Sequence, residues 1–365
     1  MITLIIIIAV GLYLLELLFL MIGLKKANRV SIIGDFEPAV SVIVAARNEE
    51  HVIRECIESL LKIEYPAEKL EIIIVNDSST DGTPEIVRSY CDSNRGLKMV
   101  STNPGKGNLR GKSNAISHGI EASIGEILMF TDADCRVPAS WVRETVKYFD
   151  KSTGIVGGFT LLDADNWFEG MQSLDWIFLF GLASSTAGWK IPLTVIGNNF
   201  SIRRLAYSQT GGMANIPFSV TEDYALVQAV LRRTEYEIRF PVNPLALVRS
   251  RACHNMNHLF RQKQRWGVGG LDAVPRGFII TAIGWAAKMT LLLTLTISFW
   301  HIWLSAAIIM LLAETLFITE PLRKLGIVRK MKYFPPFLFY FFLYVLIIPF
   351  VAYFSKKIVW KERHL

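Results

Sequence analysis

Two aspartates that could bind a metal ion, Asp132 and Asp134, stand two residues apart directly after the mostly apolar stretch at 126–130. Such a run of large apolar residues predicts a buried strand, and ligands of open α/β sheets bind beyond the carboxyl ends of the strands. Carboxylate oxygens there suit Mg²⁺ or Mn²⁺, which keep several waters and bridge to substrate phosphates. The pair therefore predicts a metal–diphosphate site, although Asp is also common in turns and Asp-x-Asp alone is weak evidence.

The composition indicates an integral membrane protein with a soluble part. The chain has 365 residues, of which 52% are hydrophobic and 19% charged, a length that suits about two domains. Its mean hydropathy is +0.35, and the apolar excess lies in long blocks. We interpret the net charge of +7 as a positive-inside bias with attraction to anionic lipid headgroups. Because no nucleic-acid-binding motif is visible, we expect no nucleic-acid partner.

The cysteines do not indicate a disulfide framework or a zinc site. They lack the short paired spacing that such sites show, and they are Cys56, Cys91, Cys135 and Cys253. Cys253, His254 and His258 offer metal ligands at close spacing, but no second cluster completes a site.

The N-terminal stretch predicts a membrane anchor. Residues 2–24 are almost entirely apolar and long enough to span a bilayer. Lys25, Lys26 and Arg29 follow at once, so the positive-inside rule places the N-terminus outside and the following chain in the cytoplasm. A signal peptide is the weaker interpretation, since no basic region precedes this stretch and no small-residue cleavage site is obvious.

Strands alternate with helices in the next region, which argues for a mainly parallel sheet with helices on both faces. The predicted strands lie at 40–46, 71–75, 97–100 and 126–130. A glycine-rich loop at 104–112 precedes a helix that we expect Ser113 to cap. Further along, the pattern predicts a core or interfacial helix around 174–183 and a strand at 194–196. Thr221 is expected to cap another helix, with two acids in its first turn.

The last third of the chain predicts helices at and across the membrane. Residues 254–266 form an amphipathic segment whose apolar arc includes Lys263, which we expect to extend to lipid headgroups. Segments at 278–297, 300–319 and 333–354 are apolar enough to span. The basic residues at 323–332 and 356–363 both favour the cytoplasm, and a single topology cannot satisfy both. Length favours three spans with the C-terminus outside, over two spans with 278–290 lying flat.

Two ionisable residues fall inside predicted spans, where a lone charge is costly. Glu16 lies eight residues before Leu24, and Lys288 lies ten residues after Phe278. At about 1.5 Å per residue, both are roughly 12 to 15 Å deep. We therefore expect the two helices to pack with Glu16 and Lys288 facing each other, directly or through water. The alternatives are that Lys288 extends to the headgroups or that its segment lies flat.

Further motifs follow one another along the chain in a fixed order. They are Arg47-Asn48-Glu49, Asn76-Asp77-Ser78, Gly111-Lys112-Ser113, Thr131-Asp132-Ala133-Asp134, Gly197-Asn198-Asn199, Thr221-Glu222-Asp223 and Gln262-Lys263-Gln264-Arg265-Trp266. Over about residues 38–275 this set resembles the family 2 inverting glycosyltransferases, in particular the membrane-bound branch with the D, DxD, TED and QxxRW signature. That branch includes ceramide glucosyltransferases and the cellulose, hyaluronan and poly-N-acetylglucosamine synthases. Asn76 and Ser78 depart from it, since many members carry Asp and Gly there.

The resemblance implies an α/β fold of the GT-A type, with a Rossmann-like mixed sheet, helices on both faces and added transmembrane helices. The expected organisation is an anchor at 1–26 and a cytoplasmic catalytic domain at 38–253. An interfacial helix with the QxxRW motif at 254–276 and about three spans at 277–356 would follow. The catalytic domain is expected on the inner face of the plasma membrane.

The resemblance also implies roles for eleven residues. Asp223 is the expected general base, because an inverting transfer needs a carboxylate opposite the leaving group to take the acceptor's proton. Asp134 is the expected metal ligand, with Asp132 bracing ribose or the metal. Donor binding is expected of Arg47, Glu49, Asp77, Lys112, Asp132 and Arg265. Acceptor binding is expected of Glu222, Gln262 and Trp266.

The implied activity is a metal-dependent hexosyl transfer from a nucleoside diphosphate sugar, expected to be a UDP-sugar, to a membrane lipid. A processive polysaccharide synthase is the alternative, for which a membrane partner subunit would have to supply more of the pore. A non-enzymatic membrane scaffold is the alternative of another class, but a decayed domain would be expected to lose Asp134 or Asp223. A nucleotidyltransferase would explain the sheet and the metal carboxylates, but not the Thr221-Glu222-Asp223 and QxxRW motifs.

Overall fold

A seven-stranded mixed sheet supports the central part of the chain in the computed structural model, which describes residues 1–30, 32–34, 36–105, 109–270, 274–354, 359–360 and 363–364. Its strands lie in the order β3-β2-β1-β4-β7-β5-β8. The strands are β1 Val40–Ala46, β2 Leu70–Asn76, β3 Leu97–Ser101, β4 Ile127–Asp132, β5 Thr153–Gly157, β6 Thr160–Leu162, β7 Phe200–Arg203, β8 Glu237–Arg239 and β9 Val248–Ser250. Strands β6 and β9 form a separate parallel pair, and the last described residues form a short antiparallel pair.

Twelve helices accompany these strands in the described part of the chain. They are α1 Ile2–Ala27, α2 Ile53–Leu60, α3 Thr83–Cys91, α4 Gly111–Glu121, α5 Trp141–Val146, α6 Trp167–Gly188, α7 Arg204–Gln209, α8 Glu222–Arg233, α9 Met256–Gly269, α10 Pro275–Thr294, α11 Trp300–Lys324 and α12 Phe334–Phe354. Short 3₁₀ turns also occur, including one at Val328–Tyr333.

Both faces of the sheet are buried, which explains why the central strands are continuous apolar runs. Along β1, Val42 and Val44 face one core, where helices α2 and α5 pack. Ile43 faces the other core, where α4 and α6 pack. Strands β1 to β4 are parallel, while β7 runs antiparallel to both β4 and β5. The expected mainly parallel sheet with helices on both faces is confirmed.

The strand predicted at 194–196 is wrong. The chain pairs instead through β7, which is inserted between β4 and β5. Phe200 of β7 stacks on Phe130 of β4, with ring centroids 4.7 Å apart, and the Thr131 hydroxyl donates to the Asn198 carbonyl at 2.9 Å. These long-range contacts decide which segment joins the sheet, because both segments have an apolar pattern that suits a strand.

Helix α4 begins earlier than the sequence pattern predicts. It starts at Gly111, directly after Arg110, and Ser113 lies inside its first turn. The Ser113 hydroxyl still accepts the Arg110 N–H at 3.3 Å, so it does satisfy one backbone donor at the helix start. Lys112 consequently lies on the helix and not in a loop. The preceding positions 106–108 of the glycine-rich segment lie outside the described residues.

Helix α6 joins the sheet to the membrane helices. Most of its 22 residues are buried, as expected for a core helix. It crosses α1 where two glycines meet: a Cβ on Gly188 would lie 2.0 Å from the Gly23 carbonyl oxygen. Just beyond the helix, the Trp189 ring stacks on Phe19 and its indole N–H donates to the Phe19 carbonyl at 2.8 Å. The inner end of α1 is thereby attached to the sheet domain.

Four helices of the described chain are long and apolar enough to cross a membrane: α1, α10, α11 and the segment Val328–Phe354 that contains α12. This number agrees with the expected anchor and three C-terminal spans. The turn between α11 and α12 packs on α6, where the Tyr333 ring lies against Gly170 and its hydroxyl donates to Ala164 at 3.2 Å. The basic residues at 323–332 therefore lie on the side of the sheet domain. The basic residues near the C-terminus favour a cytoplasmic C-terminus, which conflicts with three spans. Of these, Lys356, Lys357 and Lys361 lie outside the described residues.

The buried charges of the membrane helices pair differently from the prediction. Helices α1 and α10 do pack together, and Glu16 and Lys288 line one cavity. However, Lys288 Nζ bonds Glu314 Oε1 of α11 at 2.5 Å, and the Tyr13 hydroxyl donates to the same oxygen at 2.7 Å. Glu314 lies ten residues before the end of α11, about 15 Å deep, which is the depth expected for Lys288. The predicted packing of α1 against α10 is confirmed, but Lys288 forms its direct ion pair with Glu314 and not with Glu16.

We predict that Lys288→Met destabilises the protein, because Glu314 would stay buried without its cation. Breaking a buried pair on one side costs about 3 to 5 kcal/mol, whereas replacing both partners is far less costly. Thermal unfolding of the detergent-solubilised protein should therefore show a lower Tm for Lys288→Met and a largely restored Tm for Lys288→Met with Glu314→Gln. Equal losses in the single and the double variant would contradict this assignment.

Candidate active site

A cleft of about 220 Å³ opens beyond the carboxyl ends of β1, β2 and β4. All eleven residues that the sequence analysis singled out line it. They are Arg47, Glu49, Asp77, Lys112, Asp132, Asp134, Glu222, Asp223, Gln262, Arg265 and Trp266. Their individual roles stay predictions, but the structure brings all eleven together at one edge of the sheet. Six separate segments of the chain contribute these residues to one site.

The loops after β1 and β2 are bound to each other at one end of the cleft. Arg47 Nη1 donates to the carbonyl oxygens of Asp77 at 2.8 Å and Ser78 at 3.0 Å. The buried Asp77 carboxylate accepts the Thr102 hydroxyl at 3.2 Å. Asn48 and Ser78 both have left-handed backbones, with φ of 52° and 54°. Glycine adopts such a backbone without strain, whereas Asn48 and Ser78 adopt it at a steric cost.

Lys112 connects two carboxylates in the middle of the cleft. Its Nζ lies 2.6 Å from Asp132 Oδ1 and 3.1 Å from Glu222 Oε1. Burial disfavours the charged ammonium, but the carboxylates of Asp132 and Glu222 outweigh it and hold the pKa of Lys112 well above its usual value. The lysine therefore stays charged, and it joins α4 to the end of β4 and the start of α8.

Asp223 is held by backbone donors on both oxygens. Its Oδ2 accepts the Gly197 N–H at 2.7 Å, and its Oδ1 accepts the Tyr224 N–H at 2.8 Å. Burial and the neighbouring Glu222 raise the pKa of Asp223 to about 6, against the opposing effect of Lys112. A carboxyl group with this pKa is suited to accept a proton near neutral pH.

Gly197 is a site residue that the sequence analysis left without a role. A Cβ there would lie 3.3 Å from Asp223 Oδ2 and 3.4 Å from Lys112 Nζ. The distance to Asp223 is shorter than most Cβ contacts, so a larger residue here would have to displace that carboxylate by a few tenths of an ångström. The motif Gly197-Asn198-Asn199 was the available signal. The neighbouring Asn199 is buried beneath the cleft. Its side chain accepts the Trp141 indole N–H and donates to the carbonyl oxygens of Phe159 and Ala246.

Asp132 and Asp134 are the residues that fit a divalent metal. The Asp134 carboxylate accepts the Ser250 hydroxyl at 3.4 Å and lies 3.5 Å from the Cys135 thiol. No group of three potential ligand side chains occurs within the described residues, so the protein offers a carboxylate pair. Mg²⁺ and Mn²⁺ bind through one or two carboxylates together with substrate phosphates, and the pair fits that chemistry. Within the described residues, Cys253, His254 and His258 likewise do not form such a group.

Helix α9 places Gln262, Arg265 and Trp266 along the cleft. The expectation that Lys263 extends to headgroups is wrong, because its ammonium is buried in an ion pair with Asp175 of α6. The ammonium also lies 4.2 Å from the centre of the Trp266 ring. The helical pattern of α9 was correct, but it could not show that α6 crosses there and supplies a carboxylate.

Trp176 of α6 is a second residue that the sequence analysis missed. It lines the cleft, and its ring centroid lies 5.5 Å from that of Trp266. The only sequence signal was the aromatic residue beside Asp175 in an apolar run, which is more typical of a core position.

An apolar cavity of about 380 Å³ adjoins the cleft and runs between the membrane helices. The cleft and the cavity share Ile196, Thr221, Asp223 and Trp266. Along α10 the cavity is lined by Gly277, Ile280, Thr281, Gly284 and Lys288. Gly277 and Lys288 are eleven residues apart along the helix, a separation of about 16 Å at 1.5 Å per residue. Asp223 therefore stands where a polar cleft meets an apolar cavity.

Comparison with known proteins gives consistent results. Residues 41–222 match the sequence model of glycosyl transferase family 2. The chain is 30% identical over 239 residues to a probable glycosyltransferase of Bacillus subtilis, covering 64% of this chain and 55% of the relative. It is 29% identical over 266 residues to a beta-monoglucosyldiacylglycerol synthase of Synechocystis, covering 70% and 53%. It is 26% identical over 242 residues to a poly-beta-1,6-N-acetyl-D-glucosamine synthase of Staphylococcus epidermidis, covering 66% and 56%. The chain thus spans little more than half the length of these curated relatives.

A solved structure resembles nearly the whole chain. It is a mannosyltransferase from Pyrobaculum calidifontis, determined in complex with GDP-mannose and Mn²⁺. The two chains are 20% identical with a TM-score of 0.66, over 98% of this chain and 100% of the other. This likeness confirms the GT-A-type fold with its additional helices.

We predict that Asp134→Asn weakens Mn²⁺ binding at least about tenfold, because a neutral amide replaces a charged ligand of a two-carboxylate site. Isothermal titration with Mn²⁺ in the presence of a nucleoside diphosphate measures this. Asp165→Asn makes the same charge change at an exposed position outside the cleft and should bind Mn²⁺ normally. Equal Mn²⁺ affinity of the two variants would contradict the assignment.

Proposed function

Because the chain belongs to glycosyltransferase family 2, we propose that it transfers a hexose from a UDP-sugar to a membrane lipid, with inversion at the anomeric carbon. The reaction takes place at the cytoplasmic face of the membrane. The observation that carries this proposal is the junction at Asp223, where the polar cleft and the apolar cavity meet.

The two compartments suit two different substrates. The cleft lies at the strand ends, where nucleotides bind in open α/β sheets. Arg47, Glu49 and Asp77 would hold the nucleoside end of the donor there. The cavity is lined mostly by apolar side chains of α1, α6, α10 and α12, and apolar surface favours a hydrocarbon chain. A lipid in that cavity would present its hydroxyl group to Asp223.

The chemistry is one in-line displacement. Asp223 takes the proton of the acceptor hydroxyl, whose oxygen forms a bond to the anomeric carbon while the bond to the diphosphate breaks. The nucleoside diphosphate leaves with the electron pair. Lys112 and Arg265 supply positive charge in the cleft, and preorganised charge of this kind stabilises a leaving diphosphate. A Mg²⁺ or Mn²⁺ ion held by Asp132 and Asp134 would act as a Lewis acid on the diphosphate.

The cavity favours a lipid acceptor over a growing glycan. A polysaccharide carries hydroxyl groups along its whole length, and a pore for it needs polar partners throughout. The cavity lining is mostly apolar, and its charged residues are few: Glu16, Lys288, Asp175 and Lys263 besides Asp223 itself. Three of these four are engaged in the Lys288–Glu314 and Lys263–Asp175 ion pairs. The relatives include both a lipid glucosyltransferase and a polysaccharide synthase, so the cavity is the discriminating feature.

The basic residues support the cytoplasmic placement. Lys25, Lys26 and Arg29 follow α1, and further basic residues lie between α11 and α12, on the side of the sheet domain. Such clusters favour the cytoplasmic side of a membrane. The exposed surface of α1 is formed by Ile and Leu side chains, which suits contact with lipid tails.

Asp223→Asn should lower the transfer rate at least about a hundredfold while donor binding is nearly unchanged, because the amide cannot accept the proton. The wild-type kcat/KM should also fall about tenfold per pH unit below pH 6, since the pKa of Asp223 is about 6 and only its deprotonated form is a base. Rates measured from pH 5 to 8 test both statements. A variant with a normal rate and poor donor binding would reassign Asp223 to substrate positioning.

A substitution that fills the cavity tests the lipid acceptor separately from the donor. A Cβ at Gly284 would make only an ordinary contact, 3.5 Å from Tyr13, so the larger side chain of Gly284→Phe should fold but occupy the cavity. We expect at least a tenfold loss of sugar transfer to lipid in nanodiscs, with normal binding of the nucleotide sugar.

Gly11→Phe is the matched control, because a Cβ there would meet nothing within 4 Å and the residue does not line the cavity. Labelled nucleotide sugars and separation of lipid from polymer products measure the outcome. Full lipid glycosylation by Gly284→Phe would refute the cavity as the acceptor site.

A further inference from the structure

Two buried polar atoms at the cleft have no hydrogen-bond partner among the described residues. One is the indole Nε1 of Trp176, and the other is the side-chain oxygen Oε1 of Gln262. Both residues line the cleft. A buried donor or acceptor without a partner is destabilising, so such groups usually have a ligand or water to bond.

The two atoms have complementary hydrogen-bonding character. The indole N–H only donates, and an amide oxygen only accepts. A hydroxyl group does both, since it accepts through its oxygen and donates its hydrogen. One hydroxyl group could therefore satisfy the pair.

The position of the pair identifies which substrate carries that hydroxyl. Trp176 and Gln262 line the polar cleft but not the apolar cavity, and Asp223 stands at the junction of the two. In an in-line displacement, the acceptor oxygen lies between the base and the anomeric carbon, and the hexose lies beyond that oxygen, toward the leaving group. Because the proposed donor occupies the cleft, a group that lines the cleft but not the cavity faces the hexose of the donor. This placement differs from the acceptor-binding role expected for Gln262.

The indole is held rigidly enough to recognise a sugar. Its ring packs against Trp266 and Phe180, with centroid distances of 5.5 Å and 5.7 Å. The preceding residue, Asp175, forms the buried ion pair with Lys263 that joins α6 to α9. Trp176 itself is only 6% exposed. Its N–H direction is thereby fixed relative to Gln262 on α9.

We propose that the Trp176 indole N–H and the Gln262 amide oxygen hydrogen-bond one hydroxyl group of the donor hexose and so select the sugar. The inference rests on the proposed donor site, and it names a recognition element within that site. Hexoses differ in the direction or presence of single hydroxyl groups. A site built to bond a hydroxyl rejects analogues that lack it, because its own polar groups are then left unpaired.

The test uses the full-length protein in nanodiscs and compares the wild type with Trp176→Phe, which keeps an aromatic ring but removes the N–H. Binding of UDP, UDP-glucose, UDP-galactose, UDP-N-acetylglucosamine and GDP-mannose is measured by titration. Trp176→Phe should bind UDP normally and should bind the preferred sugar nucleotide about tenfold more weakly, the scale of one lost hydrogen bond. Trp189→Phe is the matched control, because it also removes an indole N–H, from a residue just after the C-terminal end of α6 that bonds Phe19 and does not line the cleft. This variant should keep the wild-type preference.

Monodeoxy analogues of the preferred donor complete the experiment. Loss of one particular hydroxyl should weaken wild-type binding about tenfold and Trp176→Phe binding less than twofold, because the bond is already absent in the variant. The wild-type part of this series holds even if the variant is unstable. If each analogue weakens binding equally in the wild type and in Trp176→Phe, or if the wild type binds all of them normally, the two polar atoms bond only water. Either result refutes the inference. If the wild type binds no sugar nucleotide at all, the proposed function fails with it.

Discussion

Asp223 stands where a charged cleft meets an apolar cavity, and this junction constrains the rest of the structure. A sugar nucleotide is polyanionic and needs cations and hydrogen-bond donors, whereas a lipid tail needs a dry apolar surface. No single pocket can satisfy both. In the proposed function the cleft takes the sugar nucleotide and the cavity takes the lipid, and the two compartments share only Ile196, Thr221, Asp223 and Trp266. The sheet builds one compartment, the membrane helices build the other, and the carboxylate lies in the wall between them.

Charge within the cleft is balanced around this carboxylate. Asp132, Glu222 and Asp223 come from two distant parts of the chain, and Lys112 lies among them, within 3.1 Å of the first two. Without that cation, the carboxylates around it would repel one another at short range. The backbone N–H groups of Gly197 and Tyr224 hold the remaining partner, Asp223, in place. The result is a carboxyl group whose pKa of about 6 lets it ionise at physiological pH.

Helix α6 makes the soluble and membrane parts one structure. At its far end, Gly188 meets Gly23 of α1 in backbone contact, so the anchor is packed tightly against the catalytic domain. In its first half, Asp175 and Trp176 contact Lys263 and Trp266 of α9. A change in the packing of the membrane helices would therefore displace residues that line the cleft, because protein interiors are close-packed and transmit displacement.

Residue types and their periods were enough to predict the parallel strands and the four apolar helices, because these features depend on local pattern. The eleven residues of the cleft came from the resemblance of the ordered motifs to a known family. Contacts between distant segments decided the rest. Strand β7 takes the place of the predicted strand at 194–196 because Phe200 stacks on Phe130 of β4. Lys288 pairs with Glu314 and not Glu16, and Lys263 is buried against Asp175. A charge takes whichever opposite charge the packed helices bring within about 4 Å, and neither spacing nor depth along one helix reveals which other helix will cross it. For the same reason, the cavity at Asp223 and the inward-facing Trp176 emerged only from the tertiary structure.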